Sequence, residues 1–152
     1  MEHRDIKKFL KNLNINNLPP DSRRDLKRTA AQLDRKQRQS VVREDFLSFV
    51  KYMWPAFIEG SHHKIVAEKF NKLREGKIKR LIINMPPRHT KSEFASYLLP
   101  AWMIGNQPDL KIIQATHTAE LAIRFGRKAK HLMDSDNYKE IFPTRLMEDS
   151  KA

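Results

Sequence analysis

The chain has 152 residues, 39% of them hydrophobic, with 8 Phe and 2 Trp, and a formal net charge of +12 from 30 Lys and Arg against 18 Asp and Glu. That is enough apolar material for one domain with a core, and the charge predicts an anionic partner, nucleic acid first, with a merely solubilising surface as the alternative. Cysteine is absent, which excludes disulfides, zinc knuckles and thiol catalysis, and a metal, if one is bound, is expected on oxygen ligands. The first residues have no signal-type apolar core, and no uncharged apolar run approaches the ~18 residues needed to cross a bilayer, so a soluble, intracellular protein with no membrane partner is expected.

Residues 1–43 are highly charged and contain two helix-like stretches, "HRDIKKFLKNL" and "DSRRDLKRTAAQLDRKQRQSVV", separated by the turn "NINNLPPD". In the first, Ile6, Phe9, Leu10 and Leu13 fall at the spacing of one helical face. Asp21 or Ser22 is the expected cap of the second, whose few apolar residues make it a solvated arm or a surface for a partner. From Arg43 the composition changes, and a packed domain is expected over residues 44–152. "REDFLSFVKYMWPAF" places Phe46, Phe49, Val50 and Met53 on one face before Pro55 stops the helix. Gly60 and Ser61 then give a turn and cap, and "HHKIVAEKFNKLREG" reads as a helix ending at Gly76 with Ile65, Val66, Phe70 and Leu73 inward. His62 and His63 are adjacent, so on a helix they diverge by about 100° and make poor joint metal ligands.

"KRLIINM" reads as a buried strand from Arg80 to Met85, and "LKIIQAT" as a second from Leu110 to Ala115. Between them, Ser92 to Ile104 reads as a helix containing Phe94, Tyr97, Leu98, Trp102 and Met103, kinked at Pro100 because that residue cannot donate to the carbonyl of Ser96. Thr116 or Thr118 caps a last helix with Ala122, Phe125, Ala129 and Leu132 inward and Arg124, Arg127, Lys128, Lys130 and His131 outward. This alternation predicts an α/β protein with a parallel sheet, in which a ligand belongs at the carboxyl end of a strand.

"MPPRHTKS", Met85 to Ser92, lies at such an end. Lys91 and Ser92 match the last two positions of G-x-x-x-x-G-K-[ST], the loop whose amides and lysine hold phosphates and whose hydroxyl holds Mg²⁺. Met85 and Thr90 stand where the glycines should be, so a plain strand-to-helix turn is the competing reading. Pro86 and Pro87 have no N–H, which leaves the amides of Arg88 through Ser92 as donors. Thr90 is expected at negative φ, because a β-branched residue in the left-handed region costs on the order of 1–3 kcal/mol.

The stretch "RLIINMPPRHTKSEFASYLLPAWMIG", a following strand and "THTAELAIRFGRKAKHLMDS" together resemble the N-terminal part of the ATPase domain of tailed-phage terminase large subunits, the motors that package double-stranded DNA into procapsids. The likeness runs from about Phe57 to Pro143. It implies a partial P-loop NTPase sheet with flanking helices, preceded by a charged helical N-terminal arm. It also implies ATP and Mg²⁺ as cofactors, with Pro87, Arg88, His89, Thr90, Lys91 and Ser92 as the Walker A nucleotide-binding loop. Lys91 would take the β- and γ-phosphates, Ser92 the magnesium, and Arg88 the γ-phosphate, in the manner of an arginine finger. A surface arginine paired with a carboxylate is the other reading of Arg88, and for His89 a structural role is favoured. His62 and His63 fall where related motors contact adenine, and Thr116 and Thr118 either contact phosphate or cap a helix.

The implied partners are double-stranded DNA, the small terminase subunit, the portal protein and further copies in a homo-oligomeric ring, in the cytoplasm of an infected bacterium. The small subunit or a neighbouring motor subunit is the expected contact of residues 1–43. An apolar strand ending in paired acids, needed to hold Mg²⁺ and orient water, is not found, nor is the family's nuclease domain. The chain therefore reads as an N-terminal portion of such a hydrolase, marginally stable alone and with little or no ATP turnover. The alternative is a basic nucleic-acid- or protein-binding module whose phosphate loop does not function, with the charged helices supplying the activity.

Overall fold

The computed structural model describes residues 19–144. The face of Ile6, Phe9, Leu10 and Leu13 and the chain end "MEDSKA" lie outside them. The first helix, α1 (Pro20–Glu44), is 25 residues long. It starts at Pro20 rather than behind a cap at Asp21 or Ser22, because a proline at the first helical position has its φ already set and no N–H to satisfy; the Pro19 carbonyl accepts from Arg23 N–H at 3.0 Å. The chain divides into two compact units between Arg38 and Gln39, inside α1. In the first unit the described residues form one polar helix with no buried side chain.

The second unit holds the core. Helix α2 (Phe46–Met53) is capped by Asp45, whose carboxylate accepts from Ser48 N–H at 2.7 Å. Burial pulls the Asp45 carboxyl up, but hydrogen bonds from Ser48 and Asn71 outweigh it and leave it below its ordinary range. Phe46, Phe49 and Val50 are fully buried, as their spacing predicts. The Phe46 ring is the hub: it meets Phe70 edge-on at 5.0 Å, Phe94 at 5.4 Å and Trp102 at 5.5 Å. Phe70 lies on α3 (Ser61–Arg74), which ends near Gly76 at φ +72. Of the residues expected to face inward on α3, Ile65 does not: it is 61% exposed, and His63 and Ala67 are buried instead.

The next helical run has three parts, α4 (Lys91–Glu93), a π-helical turn (Phe94–Leu98) and α5 (Leu99–Asn106). Leu99 N–H donates to the Phe94 carbonyl five residues back. The chain thus widens one turn ahead of Pro100, where a regular ladder would need a donor that proline lacks. Helix α6 (Ala119–Asp134) is capped by Thr118 and packs its Phe125 and Met133 inward. A short α7 (Asp136–Ile141), capped by Ser135, contributes Tyr138 and Ile141, and Phe142 follows. Tyr138 Oη donates to the Ala101 carbonyl at 2.7 Å, and Trp102 Nε1 to the Val42 carbonyl at 3.3 Å, so both buried polar tips are satisfied.

The predicted α/β parallel sheet is not formed. Among the described residues there is no strand, and the partial P-loop NTPase sheet is replaced by a helical unit. The segments Arg80–Met85 and Leu110–Ala115 have no ladder partner. Their apolar runs carry the local signature of a strand, but a strand exists only when a second backbone takes its N–H and C=O groups, and among the described residues neither of them is so paired. Ile82 is 87% exposed and Ile113 is 96% exposed, whereas Leu81 and Ile83 pack against the core. Alternation thus survives over Leu81–Met85 as one face laid on helices. No helix of the described residues is long and apolar enough to cross a membrane.

Candidate functional site

The half-buried Leu81, Ile83 and Met85 lead the chain along the core to the exposed turn at Pro86 and Pro87, and helical structure begins again at Lys91. Between these points two non-glycine residues take positive φ, Arg88 at +66 and Thr90 at +58. The expectation of negative φ at Thr90 is therefore overturned. The physical reason lies outside the loop, on α3.

His63 is buried, and its ring is flanked by Phe57 and Phe94 at 4.8 and 5.2 Å. Its Nδ1 accepts from Gly60 N–H at 2.8 Å, the third helical residue reaching back to the cap amide. An amide can only donate, so the neutral ring carries its proton on Nε2. That Nε2–H faces the Thr90 hydroxyl at 2.6 Å, and the hydroxyl donates to the His89 carbonyl at 2.7 Å. Three bonds in series thus anchor a strained residue to a rigid helix. Burial holds the His63 imidazolium below its usual range, aided by the neighbouring His62 and His89 and opposed by Glu59.

Arg88, Lys91 and Ser92 are exposed. Arg88 has no carboxylate partner among the described residues, so the paired-surface reading does not hold for them, and Lys91 makes only a long 3.5 Å contact to the Met85 carbonyl. The chain makes a tight turn at Pro87 and Arg88, and the amides of Arg88, Thr90, Lys91 and Ser92 donate to no backbone acceptor among the described residues. His89 has a bracing role: its Nδ1 donates to the Pro87 carbonyl at 2.9 Å and so closes the turn. Two cations without a carboxylate partner among the described residues, loop amides and a serine hydroxyl thus line one exposed edge of the loop. The hollow bounded by His63, Ile83, Met85, Thr90, Lys91 and Phe94 is too narrow to admit a water molecule. An anion would therefore meet the exposed side of the loop.

The His62 and His63 rings are 3.8 Å apart and His62 and His89 are 5.5 Å apart, closer than divergent helical positions suggest. Among the described residues no three His, Asp or Glu side chains gather as a metal-binding group. Thr118 Oγ1 caps α6 through Leu121 N–H at 3.3 Å, and Thr116 Oγ1 donates to the Thr118 carbonyl at 2.6 Å, so both hydroxyls serve the helix start. The outer face of α6 exposes Arg124, Arg127, Lys128, Lys130 and His131 as expected. Lys128 is drawn toward Glu93 at 3.5 Å and over the Tyr97 ring at 5.2 Å. No family model, curated protein or solved structure matches the chain.

Proposed function

We propose that Met85–Ser92 is a phosphate-binding loop for ATP with Mg²⁺, and that the chain is the ATP-binding segment of a terminase-like large subunit that drives double-stranded DNA into a procapsid. The observation that carries this reading is the backbone of Thr90. At the position directly before Lys-Ser, where the phosphate-loop pattern places glycine, the chain takes the left-handed conformation that glycine adopts freely. A plain turn leading into a helix has no need of that geometry at a threonine.

In this reading the amides of Arg88 through Ser92 receive phosphate oxygens, Lys91 adds charge, Arg88 neutralises the terminal phosphate and Ser92 holds magnesium. ATP would supply the free energy of phosphoryl transfer to the complete motor. Double-stranded DNA, a small subunit, a portal and a ring of like subunits are the partners this assignment entails, in the cytoplasm of an infected bacterium. The exposed basic face of α6 favours, as a second reading, a DNA-binding module with an idle loop.

Competition of a fluorescent ATP analogue on the full chain, with Mg²⁺ present, separates the two. Saturable binding that Lys91→Ala abolishes supports the first reading. Salt-sensitive binding of duplex DNA with no nucleotide binding supports the second.

A further inference from the structure

We propose that His63 is a positioning residue for the loop: by holding the Thr90 hydroxyl it keeps Thr90 in the left-handed region and so aims the amides that precede and open the Lys91 helix. This rests on the phosphate-loop reading above. A threonine released from restraint leaves that region, because its branched Cβ crowds the backbone there. Every link of the restraint is short: Gly60 N–H to Nδ1 at 2.8 Å, Nε2–H to Thr90 Oγ1 at 2.6 Å, and Oγ1–H to the His89 carbonyl at 2.7 Å. The ring cannot swing away, since Phe57 and Phe94 flank it and Phe94 belongs to the helical run that the loop opens.

Only the neutral ring completes the chain of bonds. A proton on Nδ1 would face the Gly60 N–H, donor against donor, and loosen the anchor. The titratable and charged groups around the ring are His62 beside it on α3, His89 and Lys91 on the loop side, and Glu59 ahead of the helix. A loss of phosphate affinity on acidification is therefore the expected signature of the His63 anchor.

The test is a double-mutant cycle on the full chain, read by MgATP affinity. Glycine needs no restraint at positive φ, so Thr90→Gly makes His63 dispensable for the loop. His63→Ala should weaken MgATP binding about tenfold when Thr90 is present and less than about twofold in the Thr90→Gly background. Equal losses in both backgrounds would overturn the proposal, as would native affinity in His63→Ala. A second readout needs no nucleotide. Ring ¹⁵N spectra of the native chain should show His63 protonated at Nε2, with a clear shift on Thr90→Val; no shift would overturn the anchor even if ATP binds. If the spectra show the anchor while the native chain binds no MgATP, the phosphate-loop reading fails and the His63 to Thr90 restraint stands.

Discussion

His63 Nε2 lies 2.6 Å from Thr90 Oγ1, joining α3 to a loop 27 residues further along the chain. That contact explains why a β-branched residue occupies the left-handed region at the start of a helix. It also ties the geometry of the loop to the protonation of one buried ring.

The pH dependence of stability follows from the sign of the His63 shift. The folded chain disfavours the charged ring, so below pH 6.5 the unfolded chain binds more protons at this residue. The contribution of His63 is complete above pH 6.5 and is lost as pH falls below that value through the depressed folded one. The Tm of the native chain should therefore drop more between pH 6.5 and pH 5 than that of His63→Gln, which keeps a donor for Thr90 and cannot titrate. Parallel Tm curves would contradict this.

Asp45 should behave as a demanding cap. It accepts from Ser48 N–H at 2.7 Å and from Asn71 Nδ2 at 2.8 Å, while Asn71 Oδ1 accepts from Phe46 N–H at 2.9 Å. Asp45→Ala is expected to cost about 1–2 kcal/mol in urea unfolding. Its carboxyl is depressed, so its contribution is present above the unfolded value and fades as pH falls through the folded one.

Gly105 marks the tightest packing between α5 and Phe142, just beyond α7. A Cβ there would stand 2.6 Å from the Phe142 ring and 2.7 Å from Tyr138 Oη. Neither group has room to retreat, because both are fully buried. Gly105→Ala should lower stability by about 1–3 kcal/mol through overpacking. Phe46→Ala should cost about 3–5 kcal/mol, since four helical elements meet at its ring. A thermal or urea melt of each variant checks both values.

The helices are legible in the sequence because their signals are local. The spacing of Phe46, Phe49 and Val50, the glycine after α3 and the threonine before α6 all act within a few residues. The strands fail for the opposite reason: "RLIINM" and "LKIIQAT" carry the short apolar runs of buried strands, but pairing depends on a partner elsewhere in the chain. Helix α7 goes unnoticed within a polar stretch, although Ser135 and the spacing of Tyr138, Ile141 and Phe142 are its signature. At the loop, Lys91 and Ser92 match the end of the phosphate-loop pattern, and Arg88 is singled out only by the resemblance. The conformation of Thr90 depends on His63, whose identity as a third-residue cap partner is a visible hint but whose reach across to the loop is not.

In the proposed loop, the amides around Lys91 receive phosphate. Titrating MgATP into the ¹⁵N-labelled chain and following its backbone amides tests this most directly. The largest shifts are expected at Arg88 through Ser92, absent in Lys91→Ala. Shifts confined to the α6 face at Arg124 to His131, or none at all, would contradict it.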